Sequence, residues 1–130
     1  MGSSPLAAAL RDTDFDEVEL VGFDPRGQRS FYTGGSYGVG WSRLLETDER
    51  ARLRDLIGAL PSGVSARCHM PPFGLLFGTP PREVHVSLCF RCNNAYVDRE
   101  LVAFDAGSPE AQELLAFLRS RIPGGWSSEE

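Results

Sequence analysis

Val84-His85-Val86-Ser87-Leu88-Cys89-Phe90-Arg91-Cys92-Asn93-Asn94 carries the clearest strand signal in the chain. Val84, Val86, Leu88 and Phe90 alternate with His85, Ser87, Cys89 and Arg91. A period of two sends alternate side chains to opposite faces of a strand, so the apolar set marks a core-facing strand. His85, in the other set, is expected to point to solvent. Downstream, Ala95 to Val97 and Leu101 to Phe104 continue as short strands, read as one more hairpin. Upstream, Gly78 to Glu83 is a turn, Gly74 to Phe77 a short strand, and Ala66 to Met70 another, stopped by Pro71-Pro72.

Two helices flank this region. Thr47 has the chemistry of an N-cap, with Asp48 and Glu49 at the positive end of the helix dipole. Leu53, Leu56, Ile57 and Leu60 then follow the spacing of one buried helical face, and Pro61-Ser62-Gly63 ends it. The second helix starts at Ser108 as N-cap with Pro109 first, carries Ala111, Leu114, Leu115, Leu118 and Ile122 as one stripe, and stops at Pro123-Gly124-Gly125.

Near the N-terminus, Val18, Leu20 and Phe23 read as a strand. Asp24-Pro25-Arg26-Gly27 suits a type I turn, which predicts that Gln28 to Thr33 returns as the second strand of a hairpin. Gly34 to Gly40 lacks the spacing and the lysine of a phosphate loop, so it is read as a turn or bulged strand. The fold predicted is α+β: an antiparallel twisted sheet of about five or six strands, with two amphipathic helices packed on one face. Residues 1–14 are read as a loose or partly helical leader, residues 15–123 as one domain, and residues 124–130 as a frayed tail.

Composition bounds function. A chain of 130 residues, 42% hydrophobic and 24% charged, supports one domain with its own core. The net charge of -5 argues against a nucleic-acid surface, which needs clustered positive charge. It suits a basic protein partner. All 13 basic residues are arginine. No apolar run approaches the roughly 20 residues that span a bilayer, and the N-terminus lacks a signal peptide's basic and apolar regions. A cytoplasmic location is expected, where thiols stay reduced. An odd cysteine count agrees. Asp12, Asp14 and Asp16 have the spacing of a calcium loop but lack its glycine and distal glutamate, so a solvated acidic run is expected.

The three cysteines gather in two segments, Cys68-His69-Met70-Pro71 and Cys89-Phe90-Arg91-Cys92. Three chemistries fit them. Cys68, His69, Cys89 and Cys92 form a Cys3His donor set that suits tetrahedral zinc. On a regular strand Cys89 and Cys92 face opposite sides, so they converge only if the chain bulges or turns at Phe90-Arg91. The second chemistry is redox: Cys89 and Cys92 as a dithiol, or Cys68 bridged to a neighbouring strand. The third is inert, with the thiols serving as small buried hydrophobes. His69 beside Cys68 has the makings of a base for a thiol nucleophile, but no Asp or Asn stands at a spacing that would orient it.

Cys68-x-x-Pro71-x-x-Gly74-Leu75-Leu76-Phe77, followed by Val86-x-Leu88-Cys89-Phe90-x-Cys92-Asn93-Asn94, resembles a group of small uncharacterised bacterial proteins. These share C-F-x-P-R-x-G-I-x-F followed by I-C-F-x-C, and the likeness covers residues 44–97. The resemblance implies a recurrent fold and cysteine arrangement, with no established activity. The chain departs from the pattern at His69, Pro72 and Phe73, so the shared element is the three cysteines.

The function expected is that of a small non-enzymatic soluble binding protein, immunity-like, with a cysteine cluster whose donor set is able to hold a structural metal. The alternative is a thiol- or metal-dependent enzyme or redox protein that uses Cys89 and Cys92.

Overall fold

The structure, a computed structural model, describes residues 4–123. Seven strands make one antiparallel sheet: β1 (Val18–Phe23), β2 (Arg29–Tyr32), β3 (Ser36–Leu44), β4 (Phe73–Phe77), β5 (Val84–Cys89), β6 (Asn94–Val97) and β7 (Glu100–Ala103). Their spatial order is β2-β3-β1-β4-β5-β6-β7. Three helices accompany them: α1 (Pro5–Ala9), α2 (Thr47–Gly58) and α3 (Pro109–Arg119). The α+β class and the antiparallel sheet are as expected, but the strands number seven rather than five or six.

The sheet curls into a half-barrel. Thr33, just past edge strand β2, places its Oγ1 3.3 Å from the carbonyl oxygen of Tyr96 and 3.4 Å from Ser87 Oγ, although β3, β1 and β4 lie between β2 and β5 in the ladder. Curling brings the edge back over the middle. Gly34 permits this approach. It has φ 62°, and a Cβ there would sit 2.5 Å from the Tyr96 ring.

Two expected strand features are corrected. The turn Asp24–Gly27 forms, closed by Gly27 N–H donating to Asp24 O at 2.9 Å, but β1 and β2 do not pair. Strand β3 runs between them, and Val39 is register partner to both Phe23 and Arg29. The long β3 gains ladder partners on both sides; a β1–β2 hairpin would strip it of one. Residues 66–70 are not a strand either. The segment from Pro61 to Pro72 is irregular, and its backbone groups are met by scattered contacts rather than a ladder: Asn93 and Asn94 side chains on Val64 O, Ala66 O and Cys68 O, and backbone partners at Pro61, Ala66 and Pro72.

The main core lies between the helices and one sheet face. It joins Leu20, Phe73, Leu75, Phe77, Val86 and Leu88 to Leu53, Leu56, Ile57 and Leu114. Each fully buried side chain of this size contributes about 1.5–3 kcal/mol. Helix α3 keeps the expected cap: Ser108 Oγ accepts from Ala111 N–H, with Pro109 first. Helix α2 begins at Thr47, but its cap lies one residue earlier than expected. Glu46 is its N-cap, and the Glu49 carboxylate reaches back to the Glu46 N–H at 2.8 Å. Glu49 is buried and also pairs with Arg43 at 2.8 Å and Arg121 at 2.5 Å, tying β3 and the end of α3 to α2. Burial pushes its pKa up, but the Glu46 amide and the two arginines outweigh that and hold it low.

The stretch read as a leader contributes to this core. Ser4 caps α1, and Leu6 and Leu10 are buried in the main cluster. Among the described residues, the packed body therefore includes α1 and Leu10 from that stretch. The expected tail, residues 124–130, lies outside the described residues. The opposite sheet face has its own small cluster of Val21, Phe31 and Leu76, so both faces of the sheet's centre are covered.

Candidate functional site

Strand β5 ends at Cys89, and its last register pair is Cys89 with Asn94. Residues 90–93 make the hairpin turn. Cys92 N–H donates to Cys89 O at 3.3 Å, and Asn93 takes the left-handed backbone (φ 54°) that asparagine tolerates. The chain thus turns at Phe90-Arg91, the condition under which Cys89 and Cys92 converge. Their Cα atoms are 5.3 Å apart and their sulfurs are joined as a disulfide. Both residues are buried, at 0% and 1% exposure.

Cys68 is the remaining cysteine. It is a free thiol, exposed, with its Sγ 3.1 Å from Cys92 Sγ. All three sulfurs therefore meet at one point, one on the surface and two beneath it.

The segment carrying Cys68 is stitched to the β5–β6 hairpin by polar groups. Ala66 N–H donates to Cys92 O at 2.8 Å, and Asn93 Nδ2 donates to Val64 O at 3.2 Å. Asn94, fully buried, shares its two Nδ2 hydrogens among Cys68 O at 2.9 Å, Ser65 Oγ at 3.0 Å and Ala66 O at 3.2 Å. With its amide hydrogens spent there, its Oδ1 faces His69 Nδ1 at 2.7 Å and must accept. That assigns the His69 tautomer: Nδ1 carries the proton, and Nε2 accepts from Ser87 Oγ at 2.7 Å. Burial lowers the His69 pKa, with the Asn94 bond opposing, so the neutral ring is the favoured form. The ring also stands edge-on to Tyr96, centroids 4.9 Å apart.

Ser87, His69 and Asn94 stand in the order nucleophile, base, orienter that acyl-transfer enzymes use. Here Ser87 is 0% exposed beneath Thr33, so no reacting carbonyl meets its Oγ. The array acts as a clamp on the Cys68 segment. Sequence reasoning missed both Ser87 and Asn94. The signal was present, since Ser87 shares the face of Cys89 by period two and Asn94 lies opposite Cys89 across the hairpin.

The expected zinc ligands do not assemble in this disulfide-bonded state. Cys68, Cys89 and Cys92 come together, but Cys89 and Cys92 are bonded to each other, and both His69 nitrogens are engaged by Asn94 and Ser87. Among the described residues no group of three or more His, Cys, Asp or Glu is arranged to hold a metal ion. His85 is partly covered rather than solvated, with its ring 4.9 Å from that of Phe31. It lines an open cavity of about 880 Å³ with Tyr32, Gly34, Tyr96, Asp98 and Arg99, which includes none of the cysteines. No helix among the described residues is long and apolar enough to cross a membrane. Compared with family models, curated proteins and solved structures, the chain matches none of them.

Proposed function

We propose that this is a thiol–disulfide exchange protein in which Cys68 carries electrons between an outside partner and the buried Cys89–Cys92 pair. One observation carries the proposal: the exposed Cys68 Sγ lies 3.1 Å from Cys92 Sγ, while Cys89 and Cys92 are themselves out of reach of a partner. Exchange proceeds by attack of a thiolate on a disulfide sulfur, so contact between the two sulfurs is its geometric requirement.

In the reduced protein, the Cys68 thiolate attacks an outside disulfide, forms a mixed disulfide and releases one partner thiol. Cys92 then attacks Cys68 Sγ, closes Cys68–Cys92 and releases the second partner thiol. Cys89 attacks Cys92 Sγ, closes Cys89–Cys92 and returns Cys68 as a thiol. The outside disulfide gains two electrons and two protons, which the Cys89 and Cys92 thiols lose. The reverse sequence reduces the buried disulfide with an outside dithiol. In a reducing cytoplasm, the location we infer for the chain, disulfides are usually such transient, working bonds.

The reading as an immunity-like binding protein with a basic partner rests on size and net charge.

The test is the rate at which reduced protein reoxidises with a small outside disulfide. Cys68→Ser should slow closure of Cys89–Cys92 at least tenfold while the fold, read by circular dichroism, is kept. Equal rates in the variant and the unaltered protein would overturn the proposal.

A further inference from the structure

The three sulfurs have a second use once the buried disulfide is open. We infer that the reduced protein holds a soft, thiophilic metal cation on Cys68, Cys89 and Cys92, and that closure of Cys89–Cys92 switches the site off. This rests on the redox reading only in requiring that the disulfide can be reduced.

Hydrogen bonds hold the backbone of the three residues in addition to the disulfide. Cys89 is held by its register with Asn94, and Cys92 by its own N–H to Cys89 O and by Ala66 N–H to its carbonyl oxygen. Cys68 is held through its carbonyl oxygen by Asn94. Reduction therefore leaves three thiols aimed at one point. Zinc–sulfur bonds of about 2.3 Å at a tetrahedral ion set two sulfurs about 3.8 Å apart. The Cys68 and Cys92 sulfurs, 3.1 Å apart, reach that spacing by a shift of less than about 1 Å.

The donor set differs from the Cys3His tetrad read from sequence. His69 spends both ring nitrogens on Asn94 and Ser87 at 2.7 Å, so it is not free to bind an ion. Three thiolates without an imidazole favour thiophilic ions, and a tetrahedral ion would keep its fourth position open. That position faces outward, because Cys68 is the exposed member of the cluster. Buried thiolates without a counter-charge are costly, so the ion and the loss of up to three thiol protons go together. Oxidation removes two of the three donors at once by joining Cys89 to Cys92.

The experiment titrates Cd²⁺ into the full chain, reduced and oxidised, and reads the ultraviolet thiolate-to-cadmium charge-transfer band. The reduced protein should take one equivalent and the oxidised protein none. Cys68→Ser, an exposed position, should weaken binding by tenfold or more with its circular dichroism unchanged. X-ray absorption of the zinc-loaded reduced protein should show three sulfur neighbours and no imidazole. The inference is overturned if reduced protein binds no Cd²⁺, if Cys68→Ser binds as tightly as the unaltered chain, or if an imidazole lies in the zinc shell. Disulfide exchange is measured on metal-free protein. Active exchange without Cd²⁺ binding therefore defeats this inference alone, and Cd²⁺ binding without exchange defeats only the proposed function.

Discussion

Cys68 sits on a segment without regular secondary structure, and one side chain, Asn94, largely sets where it sits. A fully buried amide that meets Cys68 O, Ala66 O, Ser65 Oγ and His69 Nδ1 replaces the ladder a strand would supply. Removing it leaves a buried donor on His69 and several unmet acceptors, each costing about 1–3 kcal/mol. Asn94→Ala should therefore lower stability by roughly 2–4 kcal/mol, read as a fall in the urea midpoint. It should also raise the rate at which Cys68 is alkylated, because the segment is freed. An Asn94→Ala protein with unchanged midpoint and alkylation rate would show that the clamp is idle. His69 extends the argument to pH. Its folded pKa is held below the ordinary 6.5 by burial, so the unfolded chain binds its proton first as pH falls. Stability should drop from about pH 7 downward through that value. A second loss should follow below 4.5, as Glu19 and Glu49 are protonated through pKa values held low by their arginine partners and, for Glu49, the Glu46 amide. A urea midpoint that stayed flat from pH 7 to pH 5 would contradict the His69 assignment.

Among the elements, those with strong local signals were legible. Helix α3 needed only Ser108, Pro109 and its leucine stripe, and β5 needed only its alternation, because caps and periodicity are written in neighbouring residues. The pairing of β1 was not legible. A turn between β1 and β2 suggests a hairpin, and nothing local says that β3 will take a place between them. Residues 66–70 look like a strand in composition, yet their backbone is met by Asn94 and Cys92, which are distant in sequence. The cysteine site divides the same way. Its three sulfurs were visible as a cluster, but the disulfide depended on a turn at Phe90-Arg91, and the clamp depended on the hairpin register. The loop that closes the half-barrel offers a test at this scale. Gly34 has φ 62° and a Cβ would meet the Tyr96 ring at 2.5 Å. Gly34→Ala should cost about 1–3 kcal/mol through backbone strain and that clash. A thermal midpoint within a degree of the unaltered protein would mean the loop does not close as described.

At the level of the molecule, the fold places one reactive atom outside and two inside. The main core holds the sheet from one side through three helices, including α1, whose Leu6 and Leu10 are buried. The other face is closed by the small cluster of Val21, Phe31 and Leu76, by Thr33 over Ser87, and by His69 of the clamped segment, which meets Ser87 and Tyr96. Cys89 and Cys92 are buried beneath this cover while Cys68 remains at the surface. In the proposed exchange, Cys68 communicates with the buried pair through Cys92. The most direct test uses reduced Cys89→Ser protein, which cannot close the native disulfide. It is treated with an outside disulfide, quenched with acid, alkylated, digested and mapped by mass spectrometry. Cys68–Cys92 should be the dominant disulfide, with both partner thiols released. Persistence of a mixed disulfide on Cys68, with Cys92 recovered as an alkylated thiol, would contradict the account.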